Sequence, residues 1–360
     1  MKKNILIINP WIYDFKGFDE WSKPLGLLYI ASILRNEGYN VSLINCLSRN
    51  HPSADPSYNE SEEKYGCGKF PSEEIEKPAI FKTVKRKYKR YGISESAFLE
   101  DLDNAPEPDA IIVGSLITFW YKGPFRAIEL ARQRFPKIPI ILGGIYATLC
   151  HEHAKKHSGA DFVIKGHDME TLIAILSGIT GNEIKRHIYG FGDYPAPAYN
   201  LLERPSSVPI LTSMGCPFRC SYCASSILNG KFFSKDPAKL AEELFPQLSM
   251  LNIKDIAFYD DALLVNYEKH TGAFVSRLKD LGLSPRYHTP NAMHARYITE
   301  DTAISMKNHG FKSLRIGFEF IDEDMQKKTG GKTDSSHLAN AAENLYKAGF
   351  EKKDIKAYIL

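Results

Sequence analysis

The sequence predicts an α/β protein in two parts, an N-terminal doubly wound parallel sheet followed by a partial barrel of βα units. Three observations carry that prediction. Short apolar runs bounded by turn residues alternate with stretches of helical period along most of the chain. A Pro-rich stretch without periodicity, 181–209, separates two such series. The 360 residues suffice for two domains of ordinary size.

In the first series, 5–8 is a buried strand. Leu27, Ile30, Ala31 and Leu34 follow at helical spacing and Gly38 ends that helix. Strands at 41–44, 110–113, 138–142 and 162–164, with helices at 125–134 and 169–176, complete a flavodoxin/Rossmann-like domain over 1–180. Such sheets bind ligands beyond their carboxyl ends. The stretch 46–108 is too long for an ordinary connection and reads as an insertion. Its run 82–91 (KTVKRKYKRY) carries six basic residues, read as a solvated helix face with an anionic contact surface as the alternative. The stretch 181–209, with Pro195, Pro197, Pro205 and Pro209, reads as a linker. The second domain, 210–360, has strands at 210–213, 256–259, 286–289, 314–318 and 355–360. Helices at 237–251, 267–281 and 335–348 separate them, the spacing of a barrel or partial barrel.

Composition narrows the classes. Apolar residues make up 43% and charged residues 25%, and Lys+Arg 46 against Asp+Glu 43 leaves a net charge of +3. So small a surplus gives no whole-chain reason to expect nucleic acid or an anionic membrane as partner. No apolar run approaches the 18 residues of a spanning helix. The N-terminus is basic and then apolar, but Asn9-Pro10 breaks the run, which suits a core strand better than a signal peptide. Six cysteines in a chain of this length form no disulfide framework, and cytoplasmic metal chemistry is the first reading.

Cys216, Cys220 and Cys223 form C-x3-C-x2-C directly after the first strand of the second domain. Three thiolates on one short loop can hold three corners of an iron–sulfur cluster and leave the fourth iron open to a ligand. A strand end places them at a barrel's catalytic face. Gly215 and Pro217 shape the turn, and the Tyr222 ring is placed to pack on a flat cofactor. The alternatives are a zinc knuckle completed by a distant His, or three unrelated cysteines, but no second C-x2-C pair exists. Cys46 and Cys150 read as buried small hydrophobes, while Cys67, flanked by glycines, is open to a substrate-loop role. His151, His153 and His157 read as a solvated helix, with a metal face as the alternative.

On Cys216, Cys220, Tyr222 and Cys223, the second domain resembles the radical S-adenosylmethionine (SAM) superfamily. The first domain resembles the cobalamin-binding domain that precedes that core in one subgroup. Pro24-Leu25-Gly26-Leu27, Gly143-Gly144, and Gly166 before Glu170-Thr171 carry this second likeness. The resemblance implies a [4Fe-4S] cluster on the three cysteines that cleaves SAM to methionine and a 5′-deoxyadenosyl radical. It implies SAM contacts from Tyr222, from Asp260 and Asp261 after the second strand, from Asn291, and from Arg315 and Glu319 on the fourth. An ammonium needs a carboxylate acceptor and a carboxylate suits the planar guanidinium, which fits Asp260 to the methionine amino group and Arg315 to its carboxylate. Arg315 and Glu319, four apart on a strand, are expected on one face. The alternatives are a helix cap at Asp260-Asp261 and a buried ion pair at Arg315–Glu319. Thr329-Gly330-Gly331-Lys332 reads as a turn and lacks the phosphate-loop pattern.

For cobalamin, the resemblance points to Ser115, Leu116, Thr118, Gly143, Gly144 and Gly166 at the mouth of the first sheet. Asp14-Phe15-Lys16-Gly17 stands near the place of a cobalt-ligating motif but holds no His, which implies binding without histidine ligation. His167 and Asp168 depart from the acidic turn of relatives. The implied reaction is cobalamin-dependent methyl transfer to an unactivated centre of a small-molecule or peptide substrate. An electron donor such as flavodoxin or ferredoxin would supply the reducing equivalent. Cobalamin-independent radical oxidation, rearrangement or cyclisation is one alternative; a non-catalytic corrinoid- or metal-binding sensor is another. The resemblance also implies a (βα)6 core, and a chain stopping on its fifth strand is expected to be truncated.

Overall fold

The computed structural model describes residues 2–54, 64–183, 185, 187–188, 190–320, 322–330 and 334–359. The chain divides into two compact units, Met1–Arg204 and Pro205–Leu360.

In the first unit, five strands form one parallel sheet: β1 (Asn4–Asn9), β2 (Asn40–Asn45), β3 (Ala110–Val113), β4 (Ile140–Leu142) and β5 (Phe162–Val163). Their order is β5-β4-β3-β1-β2, the flavodoxin-like arrangement, with the switch point between β1 and β3. Helices α1 (Leu25–Asn36), α2 (Glu95–Asn104), α3 (Lys122–Arg134) and α4 (Met169–Thr180) flank the sheet. The inner strands are apolar at successive positions because both faces are covered. One face, from Leu6, Ile8, Ile111, Val113 and Leu142, packs on Phe98 and Leu102 of α2 and on Ala127, Ile128 and Ala131 of α3.

Three sequence expectations change here. Helix α2 lies inside the stretch read as an insertion yet belongs to the sheet's core, with Ser94 capping it through an acceptor bond from the Ala97 amide (3.1 Å). The acidic ESAFLEDLDN shows only Ala97, Phe98 and Leu102 as its buried stripe, too sparse a signal to read. The basic run is no helix. Residues Lys89–Tyr91 form a strand between Ile12–Asp14 and Ser72–Glu74, both antiparallel. Arg90 is buried and pairs with Glu73 and Glu95, both at 2.5 Å, while Lys82, Lys85, Arg86 and Lys87 stay exposed. Alternation put Tyr88 and Arg90 on a covered face, which a helical reading hides. Residues read as a linker up to Arg204 cluster with the first unit. Tyr199 is fully buried there, and Phe191 and Tyr194 pack on Tyr29 of α1 at 6.1 and 5.4 Å.

The second unit holds β6 (Ser207–Ile210), β7 (Asp255–Phe258), β8 (Arg286–His288), β9 (Phe311–Glu319) and β10 (Ile355–Ile359). All are parallel and adjacent in chain order, the arrangement of a partial barrel. Helices α5 (Pro237–Met250), α6 (Thr271–Asp280), α7 (Glu300–Asn308) and α8 (Ser335–Lys347) connect them. Pro209 lies in β6, an edge strand of this sheet, where its missing donor costs no ladder bond. The predicted strand 210–213 shifts, because Thr212 leaves the sheet and Ser213–Met214 pairs instead with Phe233–Ser234. Residues 289–292 interrupt the third strand at Pro290, and Met293–His294 resume pairing on β9 at Ile316–Gly317.

Candidate functional site

The loop 215–232 between the paired strands Ser213–Met214 and Phe233–Ser234 carries the three cysteines. Gly215 opens it in the left-handed region (φ 80°), where a Cβ would stand 3.1 Å from the Lys231 carbonyl. The Ser221 amide donates to the Thr329 carbonyl (3.1 Å), and Gly330 (φ 120°) packs so closely that a Cβ would stand 3.1 Å from Cys220 Cα. Thr329-Gly330 is thus a floor under the loop; Gly331 and Lys332 lie outside the described residues.

Cys216, Cys220 and Cys223 face one cleft of about 340 Å³, lined also by Phe218, Tyr222 and Ser225. Asp261, Pro290, Asn291, Ala292, Glu319 and Tyr358 form its other wall. The Ser225 amide donates to Cys223 Sγ (3.4 Å), and the Phe218 amide and the Tyr222 hydroxyl act electrostatically on Cys216 and Cys220. Donors of this kind stabilise thiolates and tune iron–sulfur clusters. In the free protein, burial first and then the charges of Asp261 and the neighbouring thiols push the Cys216 thiol up. Burial, the Cys220 bond and the charge of Glu319 push the Tyr222 hydroxyl well up. Among the described residues, no group of three or more His, Cys, Asp and Glu is arranged around a single ion. Three cysteines on one loop are the donor set with which a cluster's separate irons are held.

The sequence-assigned SAM residues separate. Tyr222, Asp261, Asn291 and Glu319 line the cleft; Asp260 and Arg315 do not. Asp260 is 2% exposed and its carboxylate accepts from the Thr212 and Ser213 amides and from both their hydroxyls, at 2.5–3.2 Å. Burial pushes its pKa up despite those donors. Four of those contacts fall on Oδ1, and burial away from the cleft lining keeps the carboxylate from a ligand there. The His270 ring bonds the Thr212 hydroxyl at 2.9 Å and continues the network. Asp261 accepts from Asn229 (2.7 Å) and from the Ser225 hydroxyl. Asn291 donates to the Tyr259 carbonyl at 2.6 Å.

Arg315 is buried, and its amide donates to the Thr289 hydroxyl at 3.0 Å. It and Glu319 do not share a face. The ladder to β10 slips between Gly317 and Glu319, and Glu319 takes a left-handed conformation (φ 69°). That bulge turns the Glu319 backbone out of alternation at the cleft wall. Sequence reasoning missed Phe218, Ser225, Pro290, Ala292 and Tyr358. Phe218 and Ser225 stand inside and just after the cysteine signature, where they were legible. Tyr358 comes from β10 and donates to the Pro290 carbonyl (2.9 Å), a contact only the fold creates.

In the first unit, Ser115, Leu116 and Thr118 follow β3, Gly143 and Gly144 follow β4, and Gly166 follows β5, so all six meet at the sheet's carboxyl end. Ser115 is buried and consumed: its hydroxyl donates to the Gly143 carbonyl (2.7 Å) and accepts from Ala147 (3.2 Å). Gly144 has φ 102°, and a Cβ there would stand 2.2 Å from the Ser115 carbonyl. Gly143 faces open space, and Ile117 and Phe119 after β3 and Ile145 after β4 are exposed. This small-residue floor with an apolar rim suits a large flat ligand. Asp14 accepts from the Trp120 indole (2.7 Å), and Asp168 caps α4. Cys67 is buried, its pKa pushed up to about 12 by burial and the Asp19 and Glu20 charges, which leaves an unreactive thiol. His151–His157 is a helix, and His153 bonds the Tyr146 hydroxyl at 2.6 Å.

Residues 210–359 match the model of the Radical SAM superfamily. An uncharacterized methyltransferase of Pyrococcus horikoshii is 26% identical over 312 residues, 82% of this chain and 60% of that protein. The structure of the cobalamin-dependent S-adenosylmethionine radical enzyme OxsB with aqua-cobalamin and S-adenosylmethionine bound aligns with a TM-score of 0.67 at 13% identity. That alignment covers 100% of this chain and 49% of OxsB. The radical S-adenosylmethionine methyltransferase TsrM from Kitasatospora setae, with tryptophan and a SAM analogue, aligns with a TM-score of 0.66 at 12% identity. It covers 99% of this chain and 67% of TsrM. At such identities the likeness speaks for the fold. The chain spans about 60% of its curated relative's length.

Proposed function

We propose that Cys216, Cys220 and Cys223 hold a [4Fe-4S] cluster at which SAM is reductively cleaved, since residues 210–359 match the Radical SAM superfamily model. One observation carries this reading: three thiols from one loop face a single cleft. Held by these three cysteines, a reduced cluster would supply the electron for reductive cleavage of the SAM sulfonium. The chain's own residues then shape the site. Asp261 and Glu319 offer acceptors for the ammonium and ribose of SAM, Asn291 fixes the wall between them, and Tyr222 presents its ring beside the thiols. Arg315 acts from behind the wall, and Asp260 holds the loop rather than the ligand.

We further propose cobalamin at the carboxyl end of the first sheet, without histidine ligation, and methyl transfer to an unactivated centre as the reaction. The support is the open space at Gly143 beside the tightly packed Gly144, together with a curated relative named as a methyltransferase. A reduced flavodoxin or ferredoxin fits as electron donor, and the substrate is a small molecule or peptide. Among the described residues no helix is long and apolar enough to cross a membrane. We place the protein in the cytoplasm on the reading of its cysteines as metal ligands.

Anaerobic reconstitution followed by gel filtration tests both halves. The expected product carries about four irons and one corrinoid per chain. Cys220→Ala should lose the iron and keep the corrinoid. Zinc in place of iron overturns the cluster; an absent corrinoid spectrum overturns methyl transfer.

A further inference from the structure

Asp260 and Asp261 are adjacent, yet their carboxylates point to opposite ends of the cysteine loop. Asp260 gathers the amides and hydroxyls of Thr212 and Ser213, upstream of Cys216. Asp261 gathers the Ser225 hydroxyl and the Asn229 amide group, downstream of Cys223. Both follow the end of β7, a fully buried strand paired on both sides. The loop is also held by the two-residue ladder Ser213–Met214 on Phe233–Ser234, by the Thr329–Gly330 floor, and by ring contacts of Phe218 with His294 (4.4 Å) and of Tyr222 with Phe320 (5.7 Å). A carboxylate that accepts several bonds at once fixes all its donors relative to one point. We propose that Asp260 and Asp261 are a positioning pair that braces the cysteine loop from both ends, pre-setting the three thiols before a cofactor binds.

The proposal rests on the reading of those thiols as cluster ligands, so its test has one part that needs no cluster. Amide hydrogen exchange is measured on the full chain before reconstitution, for Asp261→Ala, Ser225→Ala, their combination and Asp261→Asn. Each single alanine variant should raise exchange across 224–229 about tenfold, the ratio for a loss of ~1.4 kcal/mol. The combination should match Asp261→Ala, which already removes the Ser225 contact along with that to Asn229. Asp261→Asn keeps an acceptor and should stay near wild type. Thr212→Val, milder than any change at Asp260, should deprotect 212–216 alone. After anaerobic reconstitution, Asp261→Ala should retain several-fold less iron through gel filtration and broaden the electron paramagnetic resonance signal of the reduced protein. Unchanged exchange in Asp261→Ala, or additive effects in the combination, would overturn the brace. If the wild type itself takes up no iron, the cluster reading fails while the exchange data still decide the brace.

Discussion

Asp260 and Gly330 illustrate how a residue's task depends on what faces it. Both were singled out by sequence, Asp260 as a ligand contact and Gly330 as part of a turn. Asp260 has spent its carboxylate inside the protein, on four donors from two successive residues. Gly330 sits where no side chain fits, in a left-handed conformation against Cys220 Cα. A side chain there is strained twice, by φ and by the contact, at a cost of roughly 1–3 kcal/mol for the backbone alone. Gly330→Ala should therefore lower thermal stability and iron retention together. Calorimetry of the apo chain with iron analysis checks this; a variant matching wild type in both would remove Gly330 from the site.

The strands show what was legible at the scale of elements, and why the rest was not. The apolar runs at 5–8, 110–113 and 256–259 read directly as strands because sheets covered on both faces need no alternation. Helix α2 escaped notice because only three of its ten residues face the core. The bulge at Gly317–Glu319 was invisible because strand parity is a local rule and the slip is set by the register of β10. The cysteines were legible because spacing alone carries their chemistry; Tyr358 and Pro290 were not, since tertiary pairing alone brings them together.

Beneath the cleft, the second sheet carries a buried polar group whose protonation follows from packing. His288 donates to Asp255 at 2.8 Å, and Arg286 grips the same carboxylate with two bonds at 2.5–2.7 Å. Burial holds the His288 imidazole below its usual range against the pull of Asp255, with Arg286 and Arg315 reinforcing the shift. Burial alone would raise Asp255, but the bonds from His288 and Arg286 outweigh it and hold it low. A histidine with a depressed folded pKa binds its proton more readily when unfolded, so stability falls as pH drops below about 6.5. The carboxylate contributes a further loss at lower pH, below its unfolded value near 3.8. The melting temperature should fall between pH 7 and 5.5, less steeply in His288→Gln. An unaltered slope in that variant would assign the effect elsewhere, His270 being the other buried imidazole with a depressed pKa.

At the scale of the molecule, two parallel α/β units each present loops at the carboxyl ends of their strands, and each sequence-assigned site falls there. The second unit carries the thiols and the cleft; the first carries the glycine floor. The central claim is that the three thiols make this chain a radical SAM catalyst, and product analysis tests it most directly. Reconstituted anaerobically and reduced with dithionite in the presence of SAM, the wild type should release 5′-deoxyadenosine, and Cys216→Ala, Cys220→Ala and Cys223→Ala should each fall to background. A reconstituted wild type with full iron and no SAM cleavage, or a cysteine variant that still cleaves it, would contradict the account.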